Sequence, residues 1–262
     1  MLNSTATDTD RDAGDDADSP VVAFHLLGVV PYEVVATLER RLIDEASNRN
    51  CRRIVVVLCE HTPSITVGHR GSRRHIRFSA DELHQRRLTV RWVNRGGGCV
   101  LHAPGQLAIH AIAPLSRLRW SPRDYQLRLG RAIVRSLADH NFSVEANINA
   151  TNLRGRTGIL AAIGIGLNDG VAHHGAVLNV NPDMADFHGI DVDPSMELSA
   201  DSPATMSCLL AEHRQPVKMT GIRASLMHHL AKAFESERYH LYTGHPWLPR
   251  STMATALPAN LD

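Results

Sequence analysis

The chain has 262 residues, 43% of them hydrophobic, with 28 basic and 27 acidic side chains and a formal net charge of +1. That length and apolar content suit one sizeable core. The near-neutral charge lacks the basic footprint of a nucleic-acid binder and the polybasic signal of a membrane-surface protein.

No apolar run is long enough to span a bilayer, and no basic region followed by an apolar stretch opens the chain. Cys51, Cys59, Cys99 and Cys208 form neither a CxxC pair nor a regular framework, so disulfides and a structural zinc site are not expected. Reduced thiols in a cytoplasmic protein are. Of the sixteen histidines, His173–His174 and His228–His229 are adjacent pairs without i, i+4 ligand spacing, so no metal is predicted. No cofactor is predicted either. Lys218 and Lys232 are the only lysines.

In chain order, residues 1–20 read as a disordered acidic tail, because Asp8, Asp10, Asp12, Asp15, Asp16 and Asp18 repel one another with almost nothing apolar to bury. The run 21–30 is β-branched and strand-like. Pro31 suits a helix start, and Val34, Val35, Leu38, Leu42 and Ile43 recur at helical spacing towards Asn48. The continuous apolar run 53–59 reads as a strand buried on both faces, followed by a short strand at 65–67. Strands at 88–93 and 107–112 flank a glycine cluster, a pattern that predicts a hairpin. Residues 124–140 form an amphipathic helix. Residues 147–152 are a polar turn. Strands at 159–167 and 176–180 are joined by a turn around Asn168-Asp169-Gly170. A loop follows at 191–205, then helices at 205–212 and 218–235. The domain is bounded at 21–236, with a C-terminal tail at 237–262. Strands in neighbouring pairs with segregated helices predict an α+β fold, a mixed or antiparallel sheet packed with helices.

The densest segment is Arg95-Gly96-Gly97-Gly98-Cys99-Val100-Leu101-His102-Ala103-Pro104-Gly105-Gln106-Leu107. Its glycines allow close backbone approach to a ligand, successive N–H groups can cradle an oxyanion, and Arg95 can add a forked charge-assisted contact. A glycine-rich hairpin turn is the plainer reading, and no G-x-x-x-x-G-K-[ST] nucleotide loop is present.

This segment resembles the RGG-x-V-T-Y-H-x-PGQL signature of the lipoyl(octanoyl) transferase family. Four further segments resemble that family in the same order. They are Glu60-His61-Thr62-Pro63 with Thr66-Val67-Gly68, Ala161-Ala162-Ile163-Gly164-Ile165, His174-Gly175-Ala176-Val177-Leu178-Asn179-Val180, and 183–190. The resemblance implies a biotin/lipoyl protein ligase-like catalytic domain. It also implies transfer of an octanoyl chain from acyl carrier protein to a lysine of a lipoyl domain, in 2-oxoacid dehydrogenases or the glycine cleavage H protein. Substrate-binding residues expected from it are Arg95, Gly96, Gly97, Gly98, Cys99, Val100, Leu101, His102, Ala162, Ile163, Gly164, Gly175, Ala176 and Val177, forming an apolar acyl slot.

The family's usual catalytic pair is absent. Where the family has lysine, before A-A-I-G, this chain has Ile159; where it has cysteine, the chain has Asp193. Three accounts stay open. A relocated cysteine acts, Cys99 or secondarily Cys208, though a buried small hydrophobe is the plainer role for each. Alternatively the target lysine attacks the thioester directly, with His102 or His174 as base. In the third account the protein binds an acyl chain or lipoyl domain without turnover. An ATP-dependent lipoate or biotin ligase is a further alternative of the same resembled fold.

Overall fold

The computed structural model describes residues 19–48, 52–144, 151–191, 205–213 and 216–249. The acidic stretch 1–18, most of the 191–205 loop with Asp193, and the last thirteen residues lie outside them.

The strands are β1 (Val21–Val30), β2 (Arg53–His61), β3 (Ser64–Val67), β4 (Thr89–Trp92), β5 (Cys99–His102), β6 (Gln106–Pro114), β7 (Asn152–Arg154), β8 (Ile159–Asn168), β9 (Val171–Asn179) and β10 (Tyr239–Thr243). The α-helices are α1 (Tyr32–Asn48), α2 (Ala80–Gln85), α3 (Leu115–Leu118), α4 (Pro122–Ala138), α5 (Leu209–His213) and α6 (Met219–Ala233). Seven strands form one sheet in the order β10-β1-β2-β6-β9-β8-β7, and a second sheet has the order β4-β3-β5. The large sheet is mixed: β10, β1 and β2 run parallel, while β2-β6-β9-β8-β7 alternate. The expected mixed α+β architecture is therefore present.

The alternation of β2 explains the layering. Ile54, Val56 and Leu58 enter the larger core with α4 and α6, while Val57 and Cys59 join Val35, Leu38 and Leu42 of α1 on the opposite face. Both faces are covered, so the strand needs the continuous apolar run seen in its sequence. Gly28, at φ +74°, sits at a bulge where β1 slips against β2, and this suits the turn of Leu27 and Val30 towards α1. Helix α4 opens with a capping box, Ser121 with Asp124, and Pro122 in the first turn.

Three expectations are corrected. Strands 88–93 and 107–112 do not form a hairpin: β4 pairs with β3 in the small sheet, β6 joins the large one, and β5 stands between them. The chain after residue 237 is not simply a tail, because β10 pairs with β1 and Trp247 lies under the Arg41 guanidinium, 4.3 Å from its carbon to the ring centre. The helix expected at 205–212 starts only at Leu209, because Met206 bridges Ile159 in extended form.

Candidate functional site

The 95–107 segment folds across the large sheet. The Gly96 N–H donates to Ile165 C=O at 2.8 Å, docking the loop on β8. Gly68, His69 and Arg70 donate backbone N–H groups to Gly98, Arg95 and Gly97, each at 3.0 Å. Close approach explains the glycines of the opposing strands. A Cβ on Gly164 would stand 2.6 Å from Gly96 O, and one on Gly175 would collide with Ile109 C=O.

Between loop and sheet lies a narrow slot with an open mouth and about 40 Å³ of interior room. Its apolar wall comes from Val100, Ile109, Ala162, Ile163, Ala176 and Val177, and its polar end from Arg95, His102, His110 and His174 with Tyr32. Gly97, Gly98, Gly164, Gly175, Thr151 and Asn152 complete it.

The structure thus brings together most of the residues singled out in the sequence. Gly96, Cys99 and Leu101 are not among the lining residues. On β5 the side chains alternate, so Val100 and His102 face the slot while Cys99 and Leu101 enter the apolar cluster of the small sheet with Ile65, Val67 and Phe187. Burial pushes the Cys99 thiol up, and its Sγ points at Ser72 C=O. Cys208 is buried and does not line the slot. Ile159 is wholly buried and tied to the extended segment through Thr205 and Ser207.

Arg95 is buried, and its donors are engaged. Nη1 donates to Gly96 O and Gly98 O, at 2.9 and 3.3 Å, and Nη2 to Thr66 Oγ1 at 2.7 Å. It is therefore the brace that holds the glycine loop in shape, with its charge beside the slot and no carboxylate bonded to it among the described residues. The Pro104-Gly105-Gln106-Leu107 and Val177-Leu178-Asn179 segments are likewise ties. Gln106 donates to Leu101 O at 3.0 Å and to Asn179 Oδ1 at 2.8 Å, Asn179 donates to Ser207 O, and Glu60 accepts from Gly105 N–H at 2.7 Å.

Behind the polar end runs a buried seam. Glu39 Oε1 accepts from His110 Nδ1 at 3.1 Å and from the His174 backbone N–H at 3.0 Å, while Oε2 faces His174 Nδ1 at 3.1 Å. Burial alone would raise the Glu39 carboxyl, but His174 and His110 outweigh it and hold it well below the usual range. His174 sits at φ +58° inside a strand, a left-handed conformation unusual outside glycine, and Glu39 grips both its ring and its backbone there. His110 Nε2 faces His61 Nε2 at 2.9 Å, and His61 Nδ1 donates to Val30 C=O at 3.0 Å. Burial lowers His61 to about 3 and takes His102 well below its ordinary value. His102 Nε2 pairs with Thr66 Oγ1 at 2.9 Å, and its Nδ1 is buried with no hydrogen-bond partner.

Tyr32, Glu39 and His110 escaped the motif reading, and His61 stood in a matched segment without a role assigned to it. The signal for Glu39 was present: it lies on the Val35-Leu38-Leu42-Ile43 stripe of α1, a carboxylate where the pattern calls for a core residue. Two triads could hold a metal ion, Cys59-His61-His110 and Glu39-His110-His174, each with ligand atoms within 4.8 Å of one another.

Residues 31–234 match the family described as the lipoyl protein ligase A/B catalytic domain. The octanoyltransferase of Roseiflexus sp. (strain RS-1) is 31% identical over 234 residues, covering 86% of this chain and 92% of that protein. Among solved structures, LipL1 of P. falciparum in complex with lipoate superposes with a TM-score of 0.63 at 13% identity, over 85% of this chain and 66% of that one. The chain thus covers just under two thirds of the LipL1 chain. A bipartite lipoate protein ligase from Thermoplasma acidophilum gives 0.62 at 14% identity, over 85% and 88%. At these identities the superpositions show the fold.

Proposed function

We infer the activity from one premise: this chain belongs to the lipoyl protein ligase A/B catalytic domain family. It is an octanoyltransferase of lipoate biosynthesis, acting on the thioester of an acyl carrier protein and on a lysine of a lipoyl domain. The observation that carries this reading is the slot, with an apolar wall for an acyl chain and a polar end for a carbonyl. Free Cys59, Cys99 and Cys208 suit a reducing, cytoplasmic setting, and among the described residues no helix is long and apolar enough to cross a membrane.

None of the described cysteines lines the slot, so the geometry favours direct attack by the target lysine. With the His174 Nδ1–H directed at Glu39, Nε2 carries the lone pair, as a general base requires. The lysine Nζ bonds to the thioester carbon, and the developing oxyanion lies near the Arg95 charge. His174 takes the proton from nitrogen and returns it to sulfur as the C–S bond breaks. The amide and the free carrier thiol are the products.

The assay is octanoyl-carrier protein with apo lipoyl domain, read by mass spectrometry of the target lysine. His174→Ala lowers the rate by about 10²–10⁴-fold and also lowers the unfolding temperature, because buried Glu39 loses one ring partner. Absence of octanoylated lysine with the native chain overturns the reading. If the chain then still binds octanoyl-carrier protein, the binding-module reading that Ile159 favours takes its place, and turnover with ATP and free lipoate would identify a ligase instead.

A further inference from the structure

The hydrogen bonds around His61 and His110 leave a specific problem. Val30 C=O can only accept, so His61 carries its proton on Nδ1 and its Nε2 bears a lone pair. Glu39 Oε1 already accepts from the His174 backbone N–H, so His110 likewise donates to it from Nδ1, and its Nε2 is left facing His61. Two imidazole lone pairs then face each other across 2.9 Å in a buried place. Cys59 Sγ stands 3.7 Å from the same His61 nitrogen. Such an arrangement needs either a second proton on His110, which Glu39 would balance, or a metal cation at the focus of the three atoms, and their mutual spacing within 4.8 Å suits the latter.

We propose that Cys59 Sγ, His61 Nε2 and His110 Nε2 bind a first-row transition-metal ion of the zinc class. The sheet builds the site. Cys59 and His61 are two apart on β2 and share a face, and β6 pairs antiparallel with β2 so that His110, opposite Val57, points to that same face. One thiolate and two imidazoles are the donors such ions select, and magnesium or calcium would not.

The surroundings are those of a metal-ligating histidine, whose second ring nitrogen donates to a carbonyl or carboxylate. His61 does so to Val30 and His110 to Glu39. Metal–nitrogen bonds of about 2.0–2.1 Å and a metal–sulfur bond of about 2.3 Å at tetrahedral angles place the two nitrogens roughly 3.4 Å apart and sulfur roughly 3.6 Å from each. The Cys59–His61 spacing of 3.7 Å already fits, and the two rings need only part by about half an ångström. The two charges of a divalent ion are matched locally by the Cys59 thiolate and the Glu39 carboxylate. In the metal-free chain burial pushes the Cys59 thiol up, so the thiolate forms with the ion and its proton leaves to solvent.

Cys59 and His61 do not line the slot, whereas His110 does. The ion therefore acts as a positioning centre: it fixes His110, which shares Glu39 with His174. This inference does not depend on which acyl group the slot takes.

The test uses the full chain, loaded with zinc and dialysed, then examined by elemental analysis and, after exchange to cobalt(II), by absorption. About one ion per chain and a thiolate-to-cobalt charge-transfer band in the near ultraviolet are expected. Surface histidines can bind cobalt but cannot give that band. Cys59→Val abolishes the band and lowers the stoichiometry to below about a tenth, while Cys99→Ser keeps both. If Cys59→Val does not fold, Cys59→Ser is read in its place. A folded native chain without the band, or a band that survives loss of Cys59, overturns the proposal.

Discussion

The two sides of the slot are held by different physics. The glycine loop and β8 meet backbone to backbone, through Gly96 N–H to Ile165 C=O, with the Arg95 guanidinium bonded to the carbonyls of its own loop. The seam behind the polar end meets side chain to side chain, through Glu39 and the histidines at 61, 110 and 174. The first side is a matter of volume, where one carbon atom decides whether the surfaces touch. The second is a matter of charge, where shape is forgiving and each proton counts.

Glu39→Ala breaks the charged side most severely. It removes the acceptor of two rings and a backbone N–H in a buried place, so a loss of about 3–5 kcal/mol in unfolding free energy is expected from denaturant titration. Transfer activity should fall with it, since His174 loses its grip. Gly164→Val breaks the other side: its Cβ meets Gly96 O at 2.6 Å, and the loop must lift from the sheet, with a loss of about 3 kcal/mol measured the same way. Arg95→Lys keeps the charge but not the fork. A loss of about 2 kcal/mol in unfolding free energy is expected, together with a raised KM for the acyl donor in the transfer assay.

The smallest effect separates the two sides by pH. His173 is buried beside His174, and burial first, then the His174 charge, lower it to about 4. The unfolded chain therefore takes up this proton near 6.5 and the folded one only near 4. The stabilisation is complete above 6.5 and is lost as pH falls through that window. His173→Phe should shrink the drop in urea midpoint between pH 7 and pH 5, while Gly164→Val should leave that drop unchanged. Equal pH dependence of His173→Phe and the native chain would remove His173 as a contributor.

The volume side was readable in advance because glycine and ordered apolar runs are local signals. Gly96-Gly97-Gly98, Gly164 and Gly175 mark close approach wherever they occur. The charge side was not, since Glu39, His61 and His110 are 22 and 49 residues apart in turn and meet only through sheet pairing. A lone histidine within an alternating strand, such as His110 in β6, reads as an ordinary polar position until its neighbours are known. Cys99 was misleading for a related reason: its place in the signature was visible, but the face it occupies depends on the register of β5 against β3. Strand β10 was missed because its five residues are all exposed and carry no buried alternation.

That last strand has a consequence for anyone shortening the chain. β10 lies along β1 from Val22 to Leu26 and occupies its outer hydrogen-bonding groups. A protein cut before Tyr239 would keep slot and seam but present β1 as a bare, largely apolar rim. Such rims recruit strands from other molecules. Truncation at this point should therefore yield aggregates that form more readily at higher protein concentration, even where the isolated monomer remains folded.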